Sequence, residues 1–197
     1  MKLLTTGNPK IAKGLKLGYL TNILHLAPAN LSGFNVCPMA TDGCRAACLN
    51  TAGRGGLFMG RSHLDMTGAE LVTAVKSGTF HNTIQTARLA RTDYFFVNRA
   101  GFMIQLVKEI KNAIKLAKKH NLTPVFRLNG TSDIRWETIN AGLGNAKNVM
   151  EYFPTIQFYD YTKIANRRDL PANYHLTFSL AESNAVDAWR AMVNGMN

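Results

Sequence analysis

Cys37, Cys44 and Cys48 stand within twelve residues of one another, and the chain of 197 residues has no other cysteine. A disulfide framework wants an even, dispersed set. Thiols clustered in a reducing compartment point instead to a metal or to catalysis. The spacing is C-x6-C-x3-C. An iron–sulfur cluster takes thiolates on neighbouring corners of one cube, and a short flexible loop delivers them. Gly33, Gly43, Gly53, Gly55 and Gly56 surround the cysteines, and glycine lets backbone N–H groups approach sulfide. Arg45, Arg54 and Arg61 offer countercharge. Zinc would want a fourth ligand, which His25 or His63 could supply, and it more often uses paired C-x2-C spacing. The loop therefore reads as a [4Fe–4S] site with Cys37, Cys44 and Cys48 as ligands. Three thiolates leave one iron open to water, a substrate, S-adenosylmethionine or a side chain such as His25, Asp42 or His63.

The rest of the chain has the composition of one globular domain over residues 1–197, with 46% hydrophobic and 18% charged residues. No apolar run approaches the roughly 20 residues that span a bilayer. The first residues, MKLLTTGN, are too short and polar for a secretory h-region, so the expected location is the cytoplasm. Lysine and arginine number 23 against 12 acids, a net charge of +11. That excess suits an acidic redox partner or nucleic acid. The cations are dispersed, however, and a solvated basic surface explains them equally. Nothing in the sequence bears on oligomeric state.

Short β-like runs alternate with helical ones, the pattern of an α/β chain. Strands are expected at Leu20–Pro28, Thr123–Leu128, Thr155–Tyr161 and His175–Leu180. Helices are expected at Leu64–Lys76, Phe80–Ala90, Arg99–His120 and Ser183–Val193. In Arg99–His120, the residues Phe102, Leu106, Ile110, Ala113, Ile114 and Ala117 recur at the spacing of a buried stripe, and Lys108, Lys111, Lys115, Lys118 and Lys119 lie off it. Helical crossovers make neighbouring strands parallel. Four strands cannot close an eight-stranded barrel, so the expected architecture is a partial, open parallel β/α barrel with the cysteine loop after its first strand. Each strand ends in polar residues, and parallel sheets build sites at those ends. One rim should therefore gather Asn129, Ser132, Asp133, Asp160, Lys163 and Ser179 with the cysteines. Ser132 or Asp133 should also cap a short helix.

The segments LAPANLSGFNVCPMATDGCRAACLNTAGR, YFFVNRAGF, RLNGTSDIRWE, FYDYTK and NYHLTFS resemble the phage "gene product 88" family, across nearly the whole chain. The resemblance implies a bacteriophage origin and supplies no established activity. The loop after the first strand is also remotely similar to that of the radical S-adenosylmethionine enzymes, whose spacing is C-x3-C-x2-C. That similarity implies S-adenosylmethionine on the open iron, with Asn129, Ser132, Asp133, Asp160 and Lys163 around it. Three functions follow from these readings: an electron carrier on a cluster, a radical enzyme, or a nucleic-acid protein with a structural cluster. In the last, the basic helix with Arg135, Trp136, Arg167 and Arg168 would touch phosphates.

Overall fold

A computed structural model of the chain describes residues 1–7, 9–51, 55, 66–80, 82–140, 142 and 144–197. His63, Arg54, Arg61, Gly53, Gly56 and Leu64, all named above, lie outside the described residues. The elements run β1 (Leu4–Thr5), α1 (Pro9–Lys16), β2 (Tyr19–Leu24), α2 (Asp42–Ala46), α3 (Gly68–Lys76), α4 (Thr83–Val97), α5 (Arg99–Lys119), β3 (Thr123–Arg127), α6 (Val149–Tyr152), β4 (Gln157–Thr162), β5 (Tyr174–Phe178) and α7 (Ala185–Val193).

The fold is mixed α/β around one open five-stranded sheet, in the order β1-β2-β3-β4-β5. β1 runs antiparallel to β2, and β2 to β5 are parallel throughout. β1 and α1 were not expected. A two-residue strand carries no periodic signal; β1 exists because Leu3 and Leu4 are buried and their N–H groups donate to the Glu109 carboxylate at 2.8 to 3.0 Å.

Local chemistry sets the helix ends. Thr67 and Glu70 form a reciprocal capping box that starts α3. Asn82 accepts from the backbone of Ile84 and Gln85 and starts α4 at Thr83, three residues after the expected Phe80, and the helix runs to Val97, past the expected Ala90. Asn98 caps α5 through the Gly101 N–H at 2.9 Å. The expected stripe of α5 is buried at Phe102, Leu106, Ile110, Ala113 and Ala117, while its five lysines are exposed. No helix begins at Ser132 or Asp133. A 3-10 turn forms instead at Trp136–Thr138, with no side-chain cap.

β-strand alternation gives the sheet two unlike faces. One carries Leu24, Phe126, Phe158, Tyr174 and Leu176 into the main core beneath α5, with Phe95 packed edge-on against Phe102 and tilted against Trp136. Burying each large ring contributes about 1.5–3 kcal/mol. The other face is covered at β2, where α1 crosses it with Gly14 against Thr21, and Val125 of β3 is buried there too; on β4 and β5, Tyr161 and His175 are exposed. Strands of a parallel sheet are usually buried on both sides, and β4 and β5 depart from that here. Beyond β2 and β3 the chain turns tightly. Gly130 donates to the Leu24 carbonyl at 2.9 Å, and a Cβ there would meet the same oxygen at 2.5 Å.

Candidate functional site

The cysteine loop leaves β2 at His25 and lies over the C-terminal ends of the parallel strands. Two contacts tie it there. The Cys37 thiol faces the Thr131 carbonyl at 3.8 Å, after β3. The Gly43 N–H donates to Glu182 Oε1 at 3.0 Å, after β5. Gly43 is small because that carboxylate fills the place of its Cβ, at 2.7 Å. Its N–H is therefore spent on Glu182 and not on a sulfide, a correction to the expected glycine cradle. Thr41 caps α2 by accepting from the Cys44 N–H at 3.1 Å, which fixes the second cysteine within this one-turn helix.

All three cysteines are free thiols and half-buried. Burial pushes Cys37 up to about 12. A backbone hydrogen bond from Ala29 opposes the shift, and Asp133, Cys48 and Cys44 add to it. Cys48 is also raised, first by burial, while the Asn50 N–H, Cys44 and Arg88 act on it from close by. The three sulfurs thus sense one another. Among the described residues no three His, Cys, Asp or Glu side chains converge as ligands of one ion would. A cubane does not need that convergence, because each thiolate binds a different iron.

Behind Cys48 stands a buried polar wall that sequence reasoning missed. Asn82, Gln85 and Arg88 project from one side of α4. Gln85 Nε2 donates to the carbonyls of Asn50 and Gly55 at 2.9 and 2.7 Å. Arg88 Nη1 donates to the Asn50 carbonyl at 2.7 Å and to its side chain, yet Arg88 Nε, though buried, has no hydrogen-bond partner among the described residues. The signal was available: polar residues at i, i+3 and i+6 fall on one helix face, and that face was assigned no role. A buried cation with an orphaned donor, beside thiols whose charged form is disfavoured, fits an anionic group held between them. The residues present therefore suit a cluster.

The predicted rim residues do assemble at this end, but mostly as structural polar groups. Asn129 Oδ1 accepts from Ser132 Oγ, the Ile134 N–H and the Trp136 indole at 2.9 to 3.0 Å. Its own N–H donates to Asp160 Oδ1 at 2.7 Å. Asp133 accepts from Thr162 Oγ1 at 2.7 Å and the Lys163 N–H at 2.8 Å, which is why it caps no helix. Asn129, Ser132, Asp133 and Asp160 are all buried. Lys163 is half-buried; its Nζ donates to Ser179 Oγ at 2.9 Å. It lines a cleft of about 490 Å³ with Met39, Arg168, Trp189 and Arg190, which opens beside the cysteine loop. His25, offered for the open iron, has its Nδ1 at 3.3 Å from Thr5 Oγ1. Burial, then Arg88, Arg127 and Arg91, lower it to about 4, so it is neutral. Asp42 stands in solvent against Arg45 at 3.4 Å. Trp136 and Arg167 are buried and cannot touch phosphates, contrary to that expectation.

Burial pushes Asp160 up to about 7, against the opposing pull of the Asn129 N–H and the Tyr174 hydroxyl. An acid raised on folding is most stabilising when protonated. Its contribution is present below its ordinary value of 3.8 and fades as pH rises through about 7. Asp160→Asn, which imitates the protonated form, is expected to flatten the fall in melting temperature between those values. Thermal melts followed by circular dichroism across that range check it; an unchanged slope would show that Asp160 is ionised throughout.

A family model described as Gene product 88 matches residues 2–195. The chain belongs to the Gene product 88 family. This phage family covers the sheet, the cysteine loop and α7 together, so the loop is part of the family's common body. No curated protein and no solved structure matches the chain. Nor is any described helix long and apolar enough to cross a membrane.

Proposed function

We propose that this member of the Gene product 88 family is an iron–sulfur protein, with a [4Fe–4S] cluster on Cys37, Cys44 and Cys48, and that it takes part in electron transfer. The observation that carries the reading is the set of three half-buried thiols in one loop, with Cys48 beside the buried Arg88, whose Nε has no partner among the described residues. When bound, the cluster supplies a one-electron couple. The chain's own residues do the rest. Thr41 fixes the turn that presents Cys44. Glu182 and Thr131 tie the loop to the strand ends, and Arg88 offsets negative charge next to Cys48. Met39 brings the loop to the cleft with Lys163, Arg168 and Arg190, cations suited to an acidic redox partner.

A second reading, a radical S-adenosylmethionine-type enzyme, is favoured by one feature. Every step from β2 to β5 adds a parallel strand on the same side. Right-handed crossovers that all step one way put their helices on one face, as in a barrel and unlike a doubly wound sheet. On this reading the sheet is an arc of an open β/α barrel. Asn129, Asp133 and Asp160 would support the cofactor's neighbourhood from beneath, and Lys163 would reach it.

Anaerobic reconstitution with iron and sulfide, followed by electron paramagnetic resonance of the reduced protein, separates the two readings. A cluster signal unchanged by S-adenosylmethionine supports the carrier, and a signal altered by it supports the enzyme. A protein that takes up no iron and sulfide under these conditions defeats both.

A further inference from the structure

Parallel sheets are almost always covered on both faces, because helical crossovers shield them. Here α5 and α7 pack on the core side, and the opposite side of β4 and β5 has no described element over it. The register shows what that side presents. Ile23 pairs with Arg127, Tyr159 with His175, and Tyr161 with Thr177, so these side chains share one face. Tyr161 is 47% exposed, Arg127 and Tyr159 are half-exposed, and His175 is exposed.

The arrangement of these groups is specific. The Arg127 guanidinium lies 4.8 Å from the Tyr161 ring centroid, and its Nε is held by the Asn129 carbonyl at 3.3 Å. The Tyr159 hydroxyl is near enough to Thr21, two strands away, to sense it. The Arg127 and Tyr161 flat groups lie one against the other. No residue of β2 to β5 that points to this side is acidic: the one acid in these strands, Asp160, points into the core. At the β2 end, α1 adds the exposed Lys13 and Lys16 in its last turn.

We propose that this open face binds a single strand of nucleic acid. Bases stack on Tyr161, Tyr159 and the Arg127 guanidinium, while phosphates face Lys13 and Lys16. A four-stranded sheet of this kind holds about two or three bases. The chemistry selects this occupant. A protein partner would want an apolar centre, and these side chains are polar or amphipathic. A second copy of the chain would set arginine and histidine against arginine and histidine. A duplex hides the base faces that stacking requires. The inference does not depend on the iron–sulfur reading, since none of these residues belongs to the cysteine loop.

The test is fluorescence anisotropy of the full chain with labelled oligothymidylate and oligouridylate of about 12 nucleotides, within the usual span of single-strand sites. Duplex of equal length and heparin serve as competitors. Single strands are expected to bind more tightly than duplex. Tyr161→Ala should weaken binding about tenfold, Tyr161→Phe should restore it, and Val186→Ala on the exposed side of α7 should leave it unchanged. Circular dichroism of each variant keeps misfolding apart from lost contact. The DNA and RNA arms tell which sugar is preferred. Absence of binding to either strand overturns the proposal. So does equal competition by duplex and heparin with no effect of Tyr161→Ala, which would leave net charge alone as the cause.

Discussion

Cys44→Ala is expected to bleach the protein and lower its stability together. The purified, anaerobic wild type should be brown, with the broad visible absorption of thiolate-to-iron charge transfer. Cys44 lies inside the one-turn helix Asp42–Ala46, and its N–H is the group that Thr41 caps. The substitution leaves that hydrogen bond intact, because it uses the backbone. Any loss therefore comes from the missing thiolate and not from the turn. Metal binding and folding are linked, so a cluster that binds only the folded chain stabilises it. Absorption spectra with iron and sulfide analysis measure the first effect, and denaturant titration the second. A colourless wild type that carries one zinc per chain would refute the cluster.

Arg167→Met should be the most damaging change outside the loop. The Arg167 side chain is fully buried. Its Nε donates to Glu137 Oε1 at 3.0 Å, and Nη2 donates to the other Glu137 oxygen and to the Tyr174 hydroxyl at 3.1 Å. Nη1 stands 3.7 Å from Asp133 Oδ1. Methionine fills much of the volume but takes this cation from Asp133 and leaves Glu137 with only the partly exposed Arg135, at 3.3 Å. Breaking a buried pair in this way costs about 3–5 kcal/mol. Urea denaturation at neutral pH should read that loss. Acidification should recover part of it, because the stranded carboxylates can then take up protons. A loss below about 1 kcal/mol would mean that water reaches Glu137 and Asp133 and that the network is not closed.

Much of the sheet was legible in the sequence. Val125 and Phe126, Phe158, and Leu176 mark β3, β4 and β5, and parallel pairing was expected from helical crossovers; β4 and β5 do pair in parallel, but the segment that joins them holds no helix. α5 was legible to within a residue, because 21 residues give the apolar stripe time to repeat. Failures cluster where the signal is not periodic. β1 rests on two N–H groups reaching Glu109 from more than a hundred residues away. Asp133 sits in a sequence that reads as a helix cap, yet Thr162 and Lys163 claim its oxygens from 29 and 30 residues further on. At the site, the cysteines were legible from spacing and the rim from strand ends. Arg88 was not, since a buried arginine looks like any surface cation until its neighbours are known. Nor could the sequence tell that Asn129 and Asp160 would be consumed by the turn they hold together.

The two ties of the cysteine loop have a consequence for the order of events during synthesis. Cys37 rests on Thr131, 94 residues further along the chain, and Gly43 rests on Glu182, 139 residues further along. Ribosomes add about 5–20 residues per second, so the loop waits on the order of ten seconds for its supports. Through that interval the three thiols stand unshielded by the strands that later bury them. The nascent chain therefore offers its most oxidation-prone groups early and encloses them late. Exposure to oxygen during translation, more than in the finished protein, becomes the vulnerable moment in its life.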